Sequence, residues 1–521
     1  MKSMLSILIL IIVSFISCNK DDVLEVIIEE VPKLKTYEVS EISVYSIQVG
    51  GEILDEGDSD VFEQGIVIGL SPTPTVKNNL NIFIIEADDS GKFKLTLTSI
   101  PSNTIYYIRA YAINSQGIGY GNEIQFKSLE NKTYVGDITL STQDEVIEFG
   151  KENYNTIDGS LSIEGSVTGL SPLEELVIVN NEFKVTNTSS LEDFKGLENL
   201  KRTGAVFPNG FRIENNTGLV SFQGLNGLEM TRGKFYIINN NSIIDLHGLE
   251  KLYAVSAGDL LISDCNNLQN LSGLENLLFI GDSFFLIRNP QLTDISSLSN
   301  LNYIARRIYI IENNSLQNLN GLESITTVTG VELRDNDVLT NLDGLNNLTS
   351  VGEIIYITSN ESLNDLSAFK NIISVEYLTI DNNSSLSNLQ GFNNLSTIGN
   401  RLFISCNSNL ITLDGIEKLG SLASLYIHLN SSLIDIQGLS GLVTITGSYS
   451  ITIGHNSSLP NLNGLDSLSQ VDGSIQIFNN TVLSDFCGLQ PLFSNGTYNG
   501  YLNFSENMMN PTMDDIINNC N

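Results

Sequence analysis

The chain has no tryptophan, only 3 histidines and only 5 cysteines in 521 residues. That leaves little material for a metal centre or for acid–base chemistry near neutral pH. The cysteines are Cys18, Cys265, Cys406, Cys487 and Cys520. No pair has the tight CxxC spacing of a zinc or redox site. Positive charge is also short: 26 Lys and Arg stand against 60 Asp and Glu, for a net charge of −34. Such a chain lacks the basic face that phosphates require, which argues against a nucleic-acid partner. The acid is spread without long runs and reads as a solubility device. We find no nucleophile motif, no phosphate loop and no metal set, so no catalytic residue, cofactor or metal is expected. Past the first residues, no apolar segment is long enough to cross a bilayer.

What the sequence does hold is a repeat. Leu386, Leu389, Phe392, Leu395 and Ile398 fall at steps of three. Then Leu402 and Ile404 fall at a step of two, and Asn407 closes the unit. A step of two over a short apolar run signals a strand. The closing residue recurs as Asn216, Asn240, Asn289, Asn313, Asn336, Asn360, Asn383, Asn407, Asn430, Asn456 and Asn480, at 23 to 26 residues, with Cys265 filling the one gap. An aliphatic stands three residues before each, from Ile213 to Ile477. A period of this length means stacked units that bury their apolar faces only against each other. An inward Asn in each turn can satisfy the buried backbone bend and the Asn of the next turn. Cys265 then reads as a buried substitute in that row and Cys406 as an unpaired thiol. The count predicts 12 to 13 turns, with turns about 4.8 Å apart.

Residues 36–128 differ. Short apolar–polar alternations around Ile47–Ile53, Phe62–Gly69, Phe93–Leu97, Tyr106–Ala112 and Gly119–Phe126 are separated by turn residues, as in a β-sandwich. The fold class expected is therefore all-β: an N-terminal sandwich followed by a parallel β-helix or solenoid. Carboxylates at alternate positions in Asp55–Asp60 could converge on calcium, but the closing Glu of such a loop is missing, and a solvated turn is the simpler reading.

Three resemblances add to this. Lys2, the apolar run Met4–Ile16 and the sequence Ser17-Cys18-Asn19-Lys20-Asp21-Asp22 resemble a bacterial lipoprotein signal. That implies cleavage before Cys18, acylation of Cys18 and export to the outer membrane, with ordinary secretion as the alternative. The lysine and acids after Cys18 resemble a signal for exposure on the cell exterior. The stretch from Ile100 to Phe126 resembles the last strands of a fibronectin type III-like domain, with Tyr106 as its corner tyrosine. The repeat and the opening stretch Asp137–Ile163 resemble the receptor L-domain, which implies a right-handed β-helix; a leucine-rich horseshoe shares much of the pattern. The domains expected are a leader, 1–18; a tether, 19–35; a sandwich, 36–128; and a solenoid with a C-terminal cap, 129–521. In an exported protein Cys487 and Cys520 would close that cap as a disulfide.

Function has room on the outward row of the strands, the residue between the two inward aliphatics. It reads Arg212, Tyr236, Leu261, Phe285, Tyr309, Glu332, Tyr356, Thr379, Phe403, Tyr426, Thr452, Gln476. The neighbouring row adds Ile238, Ile287 and Ile311. Tyr236, Ile238, Leu261, Phe285, Ile287, Tyr309 and Ile311 would form one apolar patch, with Tyr356, Phe403 and Tyr426 farther along. Such patches mark protein or glycan partners, though stacked aromatics also serve as exterior packing. The expectation is a lipid-anchored surface protein that binds a protein or glycan, with no membrane contact beyond the lipid. The alternatives are a purely structural envelope protein and a carbohydrate-processing β-helix enzyme. For the enzyme, the best carboxylate set is Asp264, Arg288, Glu312 and Asp335, whose mixed signs suit ion pairing better.

Overall fold

The computed structural model describes residues 30–520, apart from 43, 45, 99, 206–209 and 449. Cys18, the leader and most of the tether lie outside the described residues. The chain divides into two compact units, Met1–Leu129 and Glu130–Asn521.

In the first unit, Lys33–Thr36, Ser46–Asp55 and Lys92–Thr98 form a three-stranded antiparallel sheet. Asn81–Ile84, Glu63–Gly69, Ile105–Asn114, Gly117–Tyr120 and Ile124–Lys127 form a five-stranded one. Their inner faces share one core, with Ile47, Val49 and Phe93 from the first against Ile66, Ile108 and Ala110 from the second. The buried Tyr106 donates from its hydroxyl to Pro101 O at 3.4 Å. In the acidic turn, Asp55 accepts from Gly57 N and Asp58 from Glu30 N. These carboxylates cap backbone donors.

The second unit is a parallel β-solenoid of about 15 turns. A 20-stranded parallel sheet runs along it, beside a sheet of 8 short strands from Thr133–Val135 to Tyr303–Ile304. The expected 12 to 13 turns fall short because the closing asparagine fades at both ends. Ahead of Asn216, the strands Ile138–Leu140, Leu161–Glu164 and Phe183–Thr186 already stack in register. Thr188 holds the closing position there and accepts no amide of its own, donating instead from Oγ1 to Asn216 Oδ1 at 2.8 Å. At the other end Asn507 continues the row 27 residues after Asn480, and Asn510 caps it.

The core is a column of aliphatic and phenylalanine side chains, nearly all at 0% exposure. Beside it the closing asparagines from Asn216 to Asn480 are also at 0% exposure. Asn360 shows the pattern. Its Nδ2 donates to Leu333 O of the preceding turn at 3.0 Å and to Thr358 O at 3.1 Å. Its Oδ1 accepts from Asn336 N at 3.2 Å, and its own N–H donates to Asn383 Oδ1 at 3.1 Å. The residue just before each closing position is left-handed, with φ of 53–58° from Asn187 to Glu506. None is β-branched, and Asn and Asp recur, as that conformation requires.

Corners at the steps of three come in two forms. Where a 3-10 turn forms, the third residue is Pro172, Ser297, Ala368, Gly344, Gly438 or Gly488. Elsewhere the third residue has positive φ and is always glycine, for example Gly391 at 125°. There its N–H donates to a side chain two residues on, as Gly391 does to Asn393 Oδ1 at 3.1 Å. A capping helix, Gln143–Gly150, opens the solenoid behind a Thr142–Glu145 capping box. At the far end Cys487 and Cys520 form a disulfide with Cα atoms 5.3 Å apart, pinning the helix Met513–Asn519.

Cys265 breaks the ladder. Its N–H still donates to Asn289 Oδ1 at 3.1 Å, but its sulfur reaches only Ser263 O, at 3.4 Å. Burial pushes the thiol pKa up to about 12. Asn240 N–H faces that sulfur, a weak acceptor. Cys265→Asn should supply the missing amide and raise stability by about 1 kcal/mol. Asn360→Ala should lower it by about 2–4 kcal/mol, because a strand carbonyl and an N–H are left buried and unpaired. Urea unfolding of both variants checks the pair; equal midpoints in all three proteins would mean the ladder carries no stability.

Candidate functional site

The outward row is in strict register. Arg212 pairs with Tyr236, Tyr236 with Leu261, Leu261 with Phe285 and Phe285 with Tyr309. The row continues through Glu332, Tyr356, Thr379, Phe403 and Tyr426 to Thr452 and Gln476. Alternation along each strand turns these side chains away from the core, and every one is half-buried.

Stacking at this spacing brings rings face to face. Phe285 and Tyr309 have centroids 4.4 Å apart and planes 6° apart. Phe403 and Tyr426 stand 4.5 Å apart at 2°. Tyr236 carries the Arg212 guanidinium at 5.1 Å and the Lys234 ammonium at 5.2 Å, and its hydroxyl donates to Asp259 at 3.2 Å. Arg401 sits 5.2 Å from the Phe403 centroid. Arg307 donates to the Tyr309 hydroxyl at 3.3 Å and pairs with Glu353. Tyr356 lies between Glu332 and Thr379, and no ring or cation contacts it among the described residues.

Ile238 and Ile287 are half-buried on the next row, as expected, but Ile311 is not exposed. It retains only 6% of its surface and offers nothing to a partner. The patch is thus narrower than the alternation rule implies. Ile238 and Ile287 precede the same left-handed bend, so the difference is particular to Ile311, which stands in register between Ile287 and Arg334.

The carboxylate set resolves into scaffold. Asp264, Arg288, Glu312 and Asp335 are the left-handed residues of successive turns. Arg288 grips Asp264 through Nε at 2.6 Å and a second nitrogen at 2.8 Å. Burial alone would raise the Asp264 pKa; the guanidinium and the Ser263 hydroxyl overrule it and hold the carboxyl below its usual range. Arg334 pairs with Asp335 at 3.4 Å. Arg288 thus neutralises Asp264 and Arg334 neutralises Asp335, while Glu312 contributes only its charge near Arg288; the four lie one per turn as residues of successive bends.

Two features escaped sequence reasoning. The first lies on the short-strand sheet, where Phe279 and Tyr303 stack at 4.8 Å and 2°, with Tyr253 43% exposed and Leu278 42% exposed beside them. Two-residue strands carry no readable period; the only available signal was an aromatic or leucine next to the third step-of-three leucine. The second is an aromatic cluster at the C-terminal turns. His428 and His455 meet edge to face at 4.7 Å, between Tyr426 at 5.3 Å from His428 and Phe478 at 5.5 Å from His455. Phe478 occupies the same row as Ile238 and Ile287, so the repeat alignment could have found it. One row position back, Asp381 and Ser405 stand in register with His428. Burial raises the Asp381 carboxyl, against hydrogen bonds from Ser405 and Cys406. Cys406 is half-buried at a left-handed bend, with its sulfur 3.3 Å from Ser405 Oγ.

At the cap, carboxylate and sulfur atoms of Asp485, Cys487 and Cys520 lie within 4.8 Å of one another. The two sulfurs are spent in the disulfide and are not metal ligands in that state.

Burial and the neighbouring His455 hold the His428 pKa below the ordinary imidazole value. The unfolded chain therefore takes up a proton at a pH where folded His428 refuses it. This contribution to stability is intact above about pH 6.5 and is lost as pH falls through that range. His428→Gln should shrink the fall in thermal midpoint between about pH 7.5 and about pH 5 relative to the parent. An undiminished fall would mean that the ring titrates normally.

No protein-family model matches the chain, and no curated protein matches it.

Proposed function

We propose that this is a lipid-anchored cell-envelope protein that binds a protein or glycan ligand on the outward face of its solenoid. The observation that carries the reading is the in-register row of half-exposed rings and aliphatics from Tyr236 to Tyr309, resumed at Tyr356, Phe403 and Tyr426. Half-buried aromatic rings on a rigid sheet bring large contact area at little entropic cost, the usual make-up of a binding anchor. The lipoprotein-like leader supports the anchoring, and the fibronectin-like unit would then act as a spacer from the membrane. The face is non-enzymatic in this reading, because its charged groups are engaged with one another in side-by-side pairs.

The ring geometry favours a protein ligand over a sugar. A sugar stacks on an open ring face. Phe285 and Tyr309 each cover a face of the other, as do Phe403 and Tyr426, so these pairs present edges. Tyr356 alone keeps its faces clear of rings and cations among the described residues. The same stacking favours one second reading, in which the rings are exterior packing of a structural protein.

Capture of envelope proteins and a glycan array, with the chain lacking residues 1–18, separate these readings. A protein ligand should be lost in the Phe285→Ala/Tyr309→Ala variant, and a glycan ligand in Tyr356→Ala. If the double variant loses thermal stability yet keeps all binding, the rings are packing and the face is not the site. Cleavage of any arrayed glycan would overturn the non-enzymatic reading.

A further inference from the structure

The first unit has an apolar cleft that its own described residues leave open. Between the edge strands Asn81–Ile84 and Lys92–Thr98 lies a cavity of about 470 Å³. Its floor is core, with Ile47, Ile68 and Ile108, and its rim is Leu80, Phe83 and Leu95. Leu80 is 55% exposed. Among the described residues each edge strand pairs on one side only, Asn81–Ile84 with Glu63–Gly69 and Lys92–Thr98 with Ser46–Asp55. At the Lys92 end Asp88 takes the outward backbone groups, its N–H donating to Lys92 O at 2.9 Å and its Oδ1 accepting from Lys92 N at 3.1 Å; the rest of that edge, from Lys94 to Thr98 beside the apolar cleft, fits an extended segment with apolar side chains at alternate positions.

We propose that residues 23–29 of a second copy of this chain fill it, adding a strand to the Lys92–Thr98 edge. That segment reads Val-Leu-Glu-Val-Ile-Ile-Glu. It is rich in strand-forming residues. In an extended chain Leu24, Val26 and Ile28 share one side, and Val23, Glu25, Ile27 and Glu29 the other, which carries both acids. The receiving edge has the matching chemistry. Phe93, Leu95 and Leu97 face the cleft side, while Lys92 and Lys94 are exposed on the opposite side. Neither lysine is in a salt bridge among the described residues. Lysines on an edge repel a neutral or basic strand and welcome an acidic one.

The donor must be another copy. Lys33–Thr36 and Lys92–Thr98 are the two opposite edges of one sheet. A strand added beyond Lys92–Thr98 lies three spacings, about 14 Å, from Lys33–Thr36. Glu30 is fixed on the far side, its carbonyl accepting from Asn114 Nδ2 at 3.2 Å and from Asp58 N at 3.1 Å. Crossing the sheet would use up the residues that have to pair. Exchange between two copies closes both clefts in a dimer; one-way donation builds a chain of copies.

The test compares the chain lacking residues 1–18 with the chain lacking residues 1–29 by analytical ultracentrifugation. The longer protein should associate and the shorter should be monomeric. A peptide of residues 21–30 should bind the shorter protein, and its affinity should fall by about tenfold or more with Lys92→Glu/Lys94→Glu. A peptide with Leu24, Val26 and Ile28 changed to Ser leaves the protein untouched and should not bind. In a Cys406→Ser background, Val26→Cys/Leu95→Cys reports an antiparallel added strand and Ile28→Cys/Leu95→Cys a parallel one. One of them should give a disulfide between chains. A monomeric longer protein with no peptide binding, a disulfide formed within one chain, or peptide binding indifferent to both sets of changes would each overturn the proposal.

Discussion

Everything in the solenoid depends on one buried amide per turn. A parallel coil that bends sharply leaves strand carbonyls and N–H groups inside the bend, where water cannot reach them, and each such group costs about 1–3 kcal/mol if unpaired. Asparagine is the side chain that solves this, because it donates and accepts at once from a short stem. Its Nδ2 reaches back to the preceding strand, and its Oδ1 takes that turn's closing N–H, as Asn383 does with Ile357 O and Asn360 N. Each turn therefore completes the one before it. The last in line needs an outside partner, and Asn510 supplies it to Asn507. The residue before each asparagine must then be left-handed to aim the amide inward, which fixes a second position per turn.

Exact stacking also places like beside like, at about 4.8 Å, for every position around the coil. Rings benefit from this and carboxylates do not. The phenyl columns Phe211–Phe235, at 4.5 Å, and Phe369–Phe392, at 5.2 Å, run through the core on the same principle as Phe285–Tyr309 outside it. At one corner position the acid is arranged to avoid it, although Glu312 and Asp335 do follow one another at successive bends. At the corners one residue per turn caps a backbone N–H two residues on: Asp193, Ser221, Asp245, Asn270, Asp294, Asn318, Asn341, Asp365, Asn388, Thr412, Asp435, Asn461 and Asp485. No two aspartates are neighbours. An amide or hydroxyl does the same capping job without charge, so alternating them keeps the caps and removes the repulsion. A chain of net charge −34 can thus stack its acid.

These rules explain what could be read from the sequence and what could not. The asparagine row and the inward leucines are dictated by burial and had to recur, so the solenoid was legible from Asn216 to Asn480. Thr188 and Asn507 were not, because at the ends of a stack the closing residue faces a cap and the requirement relaxes. The outward row was legible from alternation alone. Ile311 was misjudged because alternation gives the side on which a side chain lies and not how far its neighbours cover it; Ile238 and Ile287 at the same strand end stay half-buried. The Tyr253–Leu278–Tyr303 patch had no signal to follow, since its strands are two residues long. The mixed row Asp264–Arg288–Glu312–Asp335 resembled a site only because conformational demand places polar residues at every bend.

Subtracting these obligations leaves few positions where function can act. The inward aliphatics, the asparagine, the left-handed residue, the corner cap and the corner glycine are each tied to a hydrogen bond or a packing contact. The outward row also makes contacts, such as Tyr236 with Asp259 and Phe285 with Tyr309, but the coil dictates no residue type there, and the residue changes character from turn to turn, through Leu261, Phe285, Tyr309, Glu332, Tyr356 and Thr379. A row used only for exterior packing would gain from one uninterrupted ring stack. This one stops after two rings, places Glu332, Tyr356 and Thr379, and begins again at Phe403. Breaking a favourable stack forfeits about 0.5–1.5 kcal/mol per ring pair. That forfeit falls around Tyr356, whose register neighbours are Glu332 and Thr379 in place of rings, and under the proposed binding role the interruption is what a face fitted to a ligand would require.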